Sequence, residues 1–208
     1  MANYQDIDVE TKILEAATTV FIHKGLAGAS MQDIADEAAI SRTSLHYYYR
    51  SKDKLFDTVF EHVVGALISQ QRNIINADMP LADKLKEFVD GYMDFMLNNP
   101  NCVSFIVHDL NATPERMIRL ILSLDLNIEK LKGQMVEEMK NNQNNEFDVA
   151  QFWASLIGMC IIPFVFKPMI IKFFLYESED RFREFINNRK QHILDFLMKF
   201  LKIEKCIE

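Results

Sequence analysis

With 208 residues, 49% of them apolar and 25% charged, the chain can build one large domain or a small domain joined to a larger one, and its composition excludes a disordered polypeptide. Six Gly and five Pro are too few for a fold of many tight turns, so the abundant Leu, Ile, Met, Lys and Glu point to long helices rather than sheets. The net charge of −7 looks wrong for a binder of nucleic acid, but its distribution matters more than its sum: residues 40–55 carry Arg42, Arg50, Lys52 and Lys54 against Asp53 alone, a local +3 in an acidic protein.

Ile13, Ala17, Val20 and Phe21 recur at helical spacing from about Val9 to Lys24, and Gly25 supplies a left-handed stop. Ser30-Met31-Gln32-Asp33 reads as a capping box that opens a short second helix with Ile34, Ala35 and Ala38 on one face. Ser41 caps a third helix, and Ser51 with Asp53 starts a fourth whose apolar face is Leu55, Phe56, Val59, Phe60, Val63 and Leu67. Beyond Asn76 the breaks fall at Asp78-Met79-Pro80, Asn98-Asn99-Pro100, Thr113-Pro114 and Asn141 to Asn145, with helices between them. Val149 to Phe166 is apolar on nearly all sides, and Phe182, Phe185, Ile186, Ile193, Phe196, Leu197, Phe200 and Leu201 form a broad stripe. A helix apolar all round, as the first of these is, must be covered all round.

The most apolar run, Phe152 to Phe166, is 15 residues long with Ser155, Gly158 and Pro163 inside it, short of the roughly 20 a membrane span needs, so it reads as a buried helix. No N-terminal stretch has the pattern of an export signal, and a cytoplasmic protein with no membrane partner is expected. Cys102, Cys160 and Cys206 are an odd number, far apart and without metal-ligand spacing; they read as reduced thiols.

Two short helices joined by a turn of about three residues, the second opening on hydroxyl side chains and closing on aromatics, match helix-turn-helix geometry. Ser41, Thr43 and Ser44 at a helix start can donate to phosphate oxygens, with the helix dipole in support. Arg42 can fork onto a guanine edge, and Thr43 can offer its methyl to a thymine. His46, Tyr47 and Tyr48 are flat groups with polar tips, and because a helix turns about 100° per residue they cannot all point inward. Leu45 and Tyr49, four apart, are the candidates for core, and Lys52 adds a point charge at the next helix start.

Ser30-Met31-Gln32-Asp33-Ile34-Ala35, then Ala38-Ala39-Ile40-Ser41-Arg42-Thr43-Ser44-Leu45, then Tyr48-Tyr49-Arg50-Ser51-Lys52-Asp53-Lys54-Leu55 resembles the tetracycline-repressor (TetR) family over residues 8–60. The resemblance implies an all-α fold of about nine helices. A three-helix helix-turn-helix bundle (residues 1–55) would be joined by a long helix to a ligand-binding and dimerisation domain (residues 56–208). It adds Ser30 to the residues set against DNA. Two departures stand out. Ala39 occupies a turn position where the family often has Gly, and His46 replaces a phosphate-contacting Tyr.

The resulting expectation is a regulator that binds a palindromic operator in double-stranded DNA as a homodimer and is released, as a repressor, by an apolar or amphipathic small molecule. It needs no metal and no cofactor. The effector pocket would draw on Tyr92, Phe95, Met96, Phe105, His108, Trp153 and Ile157, a mix of aromatics, thioether and polar tips. The dimer interface would draw on Ala154, Gly158, Ile193, Leu197 and Phe200. Two other classes stay open: an adaptor that binds DNA without a ligand, and a helical enzyme. Against the enzyme, none of the five His forms an i, i+4 pair around a catalytic carboxylate, and there is no nucleophile elbow or phosphate-cradling glycine loop.

Overall fold

The computed structural model describes residues 4–141 and 148–201. Among them run eleven helices and no strand: α1 (Tyr4–Gly28), α2 (Met31–Glu37), α3 (Arg42–Tyr48), α4 (Lys52–Asn76), α5 (Leu81–Asn98), α6 (Pro100–Ala112), α7 (Pro114–Ser123), α8 (Ile128–Asn141), α9 (Val149–Val165), α10 (Lys167–Phe174) and α11 (Glu179–Leu201). The all-helical expectation holds, with two helices more than the nine expected. One arises because the segment after Pro114 breaks at Asp125, whose φ of 50° is left-handed. Asn76 holds that turn, its amide donating to the Asp125 carbonyl and its Oδ1 accepting from the Asn127 N–H. The other arises at Phe166, between Pro163 and Pro168, where α9 and α10 diverge by 66°.

The chain divides into two compact units, residues 1–66 with 104–120, and residues 67–103 with 121–208. In the first, Ile13, Ala17 and Phe21 of α1 are buried with Ile34 and Ala35 of α2, Leu45 of α3, and Leu55, Phe56, Val59 and Phe60 of α4. Phe105 of α6 joins this core, its ring 5.0 Å from Phe56 and 5.8 Å from Phe60. At the end of α1, Gly25 sits at φ 65°, ψ 173°, a conformation essentially reserved for glycine, and the regular helix stops there as its sequence foretold.

The second unit packs α5, α9 and α11 together, with α8 against α5 and α9. Lys84 of α5 is buried, and its ammonium donates to the Ile75 carbonyl at 2.9 Å and to Gln134 Oε1 at 2.7 Å. It thereby satisfies a carbonyl at the end of α4, and burial lowers its pKa. Cys102 and Cys160 are buried, and desolvation pushes both thiols up to about 12, so neither is a thiolate at neutral pH. Cys206 lies outside the described residues, as does most of the polar tract after Asn141. No single helix among the described residues is long and apolar enough to cross a membrane.

The turn between α2 and α3 places Ala39 at φ 53°. A Cβ in that conformation costs about 1 to 2 kcal/mol, part of which glycine would give back through its freer unfolded chain. Ala39→Gly therefore stabilises the protein by about 0.5 to 1 kcal/mol, a rise of a few degrees in the thermal transition read by circular dichroism. An unchanged or lower transition would show that the turn holds its shape at no strain.

Candidate nucleic-acid interface

Ser30 and Asp33 form the capping box that starts α2. The Ser30 N–H donates to Asp33 Oδ2 at 2.9 Å, and the Asp33 N–H donates to Ser30 Oγ at 3.1 Å. Lys24 donates to the same carboxylate at 2.7 Å, and with Ser30 it holds the Asp33 pKa down to about 2. The Ser30 hydroxyl also donates to Asp33, so its hydrogen bonding is directed within the turn.

Helix α3 is set by one buried residue. Leu45 is fully buried, and Tyr49 just beyond the helix is buried with its hydroxyl donating to Glu10 Oε1 at 3.1 Å. Burial and then the Glu10 carboxylate push that phenol up to about 12. With this anchor inward, the opposite face carries Arg42, Thr43, His46 and Tyr47, all exposed, the last at 82%. Ser44 and Tyr48 are half-buried, and the Tyr47 and Tyr48 rings meet edge to face at 5.3 Å. Ser41 caps the helix by accepting from the Ser44 N–H at 3.0 Å, a use that leaves the hydroxyl proton itself to be given. One exposed helix face thus brings together a guanidinium, hydroxyls and an amphipathic ring, donors suited to phosphate and to base edges.

Lys52 has a different position from the one its charge suggested. Its ammonium donates to the carbonyls of Leu26 at 2.7 Å and Ala29 at 2.8 Å, so two of its three donors tie the start of α4 to the end of α1. The sequence gives no warning of this, because the carbonyls are offered only once Gly25 has turned the chain.

The seven residues expected to line one pocket divide between the units. Tyr92 and Met96 are buried on α5, while Trp153 and Ile157 lie half-buried on α9 and Phe95 half-buried on α5. The Trp153 ring meets Phe88 at 5.4 Å, and Phe88 stacks near Tyr92 at 6.1 Å. Phe105 and His108 instead belong to the first unit. Sequence reasoning missed Gln71, which is 4% exposed in the second unit with no hydrogen bond from either side-chain atom. It also missed Arg116, which lies over the Phe56 ring at 4.6 Å and pairs with the buried Asp109 and with Asp57. The spacing of seven between Asp109 and Arg116 was a signal, masked by the break at Thr113-Pro114.

The expected interface residues also divide. Ile193 and Leu197 are buried within the chain's own core, where no partner can reach them. Ala154 is exposed, Gly158 has nothing within 4 Å of where a Cβ would stand, and Phe200 is open. Ile162 and Val165 on α9 and Phe196 on α11 are further large apolar groups left open. The apolar stripe of α11 is thus split, with Ile193 and Leu197 turned inward and Phe196 and Phe200 left exposed. Among the described residues no group of three or more His, Cys, Asp or Glu is placed to hold a metal ion.

Residues 13–59 match the family model described as "Bacterial regulatory proteins, tetR family". The chain is 26% identical over 146 residues to the biofilm operon icaADBC HTH-type negative transcriptional regulator IcaR of Staphylococcus aureus, covering 70% of this chain and 69% of that one. It is 31% identical over 85 residues to the HTH-type transcriptional activator FasR of Mycolicibacterium smegmatis, 41% of this chain, and spans about two fifths (39%) of that relative's length. The transcriptional regulator FadR from Bacillus subtilis, solved in complex with stearoyl-CoA, shares the fold with a TM-score of 0.65 at 15% identity, over 90% of this chain and 97% of that one. The exposed face of α3, the capped helix-turn-helix beneath it and the match over residues 13–59 agree: residues 13–59 form a helix-turn-helix of the kind the tetR family of bacterial regulatory proteins carries, and the chain is similar to HTH-type transcriptional regulators.

Proposed function

We propose that this protein is a cytoplasmic repressor that binds a palindromic operator as a homodimer and leaves it when an amphipathic small molecule occupies the second unit. The DNA-binding domain is residues 1–55, and residues 56–208 serve ligand binding and dimerisation. The observation that carries the reading is the outward face of α3: Arg42, Thr43 and Tyr47 stand in solvent on a helix fixed from behind by Leu45. Arg42 reads a base, while Ser41, Ser44 and Tyr48 bond phosphate oxygens. His46 reaches less far than a tyrosine would, and Lys52 acts by holding α4 in register with α1.

For the effector, Tyr92, Phe95, Met96, Trp153 and Ile157 supply an apolar and aromatic lining, and Gln71 supplies a buried amide whose donor and acceptor a ligand's polar group would satisfy. A long acyl chain with a polar carbonyl end has this character. The stearoyl-CoA held by FadR makes acyl-CoA the first class to test. Helices α4, α6 and α7 each give residues to both units, so they are the covalent routes by which occupancy of one is felt in the other.

Selection of random duplexes by the purified protein should return an inverted repeat, and Arg42→Ala should cost about 1 to 3 kcal/mol on the selected site while losing less on mismatched sites. Stearoyl-CoA, added against coenzyme A alone, should release the operator. Selection that returns no shared sequence would overturn the operator reading. Equal losses for Arg42→Ala on every duplex would remove Arg42 from base recognition.

A further inference from the structure

Phe105 and His108 take no part in the effector lining above, yet they line a cavity of about 310 Å³ inside the first unit, walled by α1, α4 and α6. Its floor is aromatic: Phe21 meets Phe56 edge to face at 4.9 Å, and Phe56 meets Phe105 at 5.0 Å, all three buried. Its polar and basic rim is made by His108 and Lys24. Gly25 makes the mouth possible. A Cβ there would stand 3.3 Å from His108 Nε2, and the φ of 65° excludes ordinary side chains independently.

We propose that this cavity is a second small-molecule site, separate from the effector site of the second unit, and that it takes a small aromatic carboxylate. The size matches the lower end of ligand pockets, and a flat apolar floor under a few convergent polar groups is their usual composition. The aromatic side chains of the lining favour edge or offset contact with a phenyl ring. The carboxylate faces the rim, where the ring N–H of His108 and the Lys24 ammonium donate. Asp33 holds Lys24 at 2.7 Å, which takes one of three ammonium donors and weakens the local positive field, so the imidazole is the principal partner. A bound molecule touches α1, α4 and α6 at once and so restrains α6 against the helices that carry α2 and α3.

The probe is 3-phenylpropionate, titrated calorimetrically into the full-length protein beside its uncharged amide. One molecule per chain is expected to bind with a dissociation constant below about 1 mM, and the amide about tenfold more weakly. His108→Phe keeps the ring packing and removes the N–H, so it should cost the carboxylate about tenfold and the amide little. Ile22→Trp, filling the cavity from its wall, should abolish both, with thermal melts confirming that each variant folds. Trp153, the single tryptophan, sits in the second unit, so its emission in the wild type should not respond to 3-phenylpropionate but should respond to an acyl effector bound there. Absence of saturable binding, binding undiminished in Ile22→Trp, amide binding as tight as carboxylate, or a Trp153 response that tracks the probe would each overturn the proposal. None of these outcomes bears on operator recognition or on the acyl effector.

Discussion

Arg116→Met destabilises the protein by about 3 to 5 kcal/mol, the loss expected when one partner of a buried ion pair is removed. The reason is the carboxylate it leaves behind. Asp109 is 2% exposed, and Arg116 is its ion-pair partner; Asp109 Oδ2 has no hydrogen-bond partner. Burial already raises the Asp109 pKa, an effect that Arg116 opposes through charge and hydrogen bond and that Asp57 reinforces. Arg116 also covers the rings of Phe56 and Phe60, at 4.6 and 5.8 Å, and donates to Asp57 at 2.6 Å. Methionine restores much of the packing but none of the charge.

The pH dependence follows in sign. A carboxyl whose folded pKa is raised favours the folded state most when protonated, below the ordinary carboxylate range, and loses that advantage as pH rises through the folded pKa. Without Arg116 the ion-pair partner of Asp109 is gone and only the weaker influence of His108 still opposes burial among the causes that act on it, so the deficit of Arg116→Met should be widest at neutral pH and narrow toward the ordinary carboxylate range. Adding Asp109→Leu should recover most of the loss, since an apolar pair of similar volume does as well as a buried ion pair or better. Denaturant midpoints for the single and double variants at two pH values test this. A deficit that is independent of pH, or a double variant weaker than the single, would locate the loss in packing instead.

How far the sequence carried depends on whether a feature is local. The capping box at Ser30 and Asp33 and the stop at Gly25 are each settled by two or three neighbouring residues, and both were legible, whereas the left-handed Ala39 was flagged only by the resemblance to a family that often has Gly there. The inward anchor Leu45 followed from helical spacing alone. Features that depend on which segments meet in space were not legible. Lys52 reads as a free cation until the carbonyls of Leu26 and Ala29 are placed beside it. Phe105 and His108 have the same character as Tyr92 and Trp153 and share a pattern with them, but α6 begins in one unit and ends in the other. The extra helices escaped for a related reason, because Asp125 and Phe166 punctuate the chain by backbone conformation without a Gly at either position.

Ile162→Asp or Phe200→Asp turns the proposed dimer into a monomer and lowers operator affinity by about 10² to 10⁴, the second large effect expected. Two recognition helices on one operator act at the high effective concentration that a shared scaffold gives, and separation forfeits that factor without touching a DNA contact. Ile162 is 49% exposed on α9 and Phe200 43% on α11, with Phe196 stacked on Phe200 at 6.3 Å, and Gly158 lets a second helix backbone approach closely. A twofold axis presents this patch to itself, so one aspartate in the sequence places two like charges in the same apolar seam. Ile193→Asp is the informative contrast. Its side chain is 1% exposed inside the chain, so the same substitution should unfold the second unit rather than release an intact monomer. Sedimentation velocity at micromolar concentration separates the cases, with circular dichroism to show which variants keep their helices. Wild-type protein that sediments as a monomer would sink the dimer, and variants that stay dimeric would move its interface off α9 and α11.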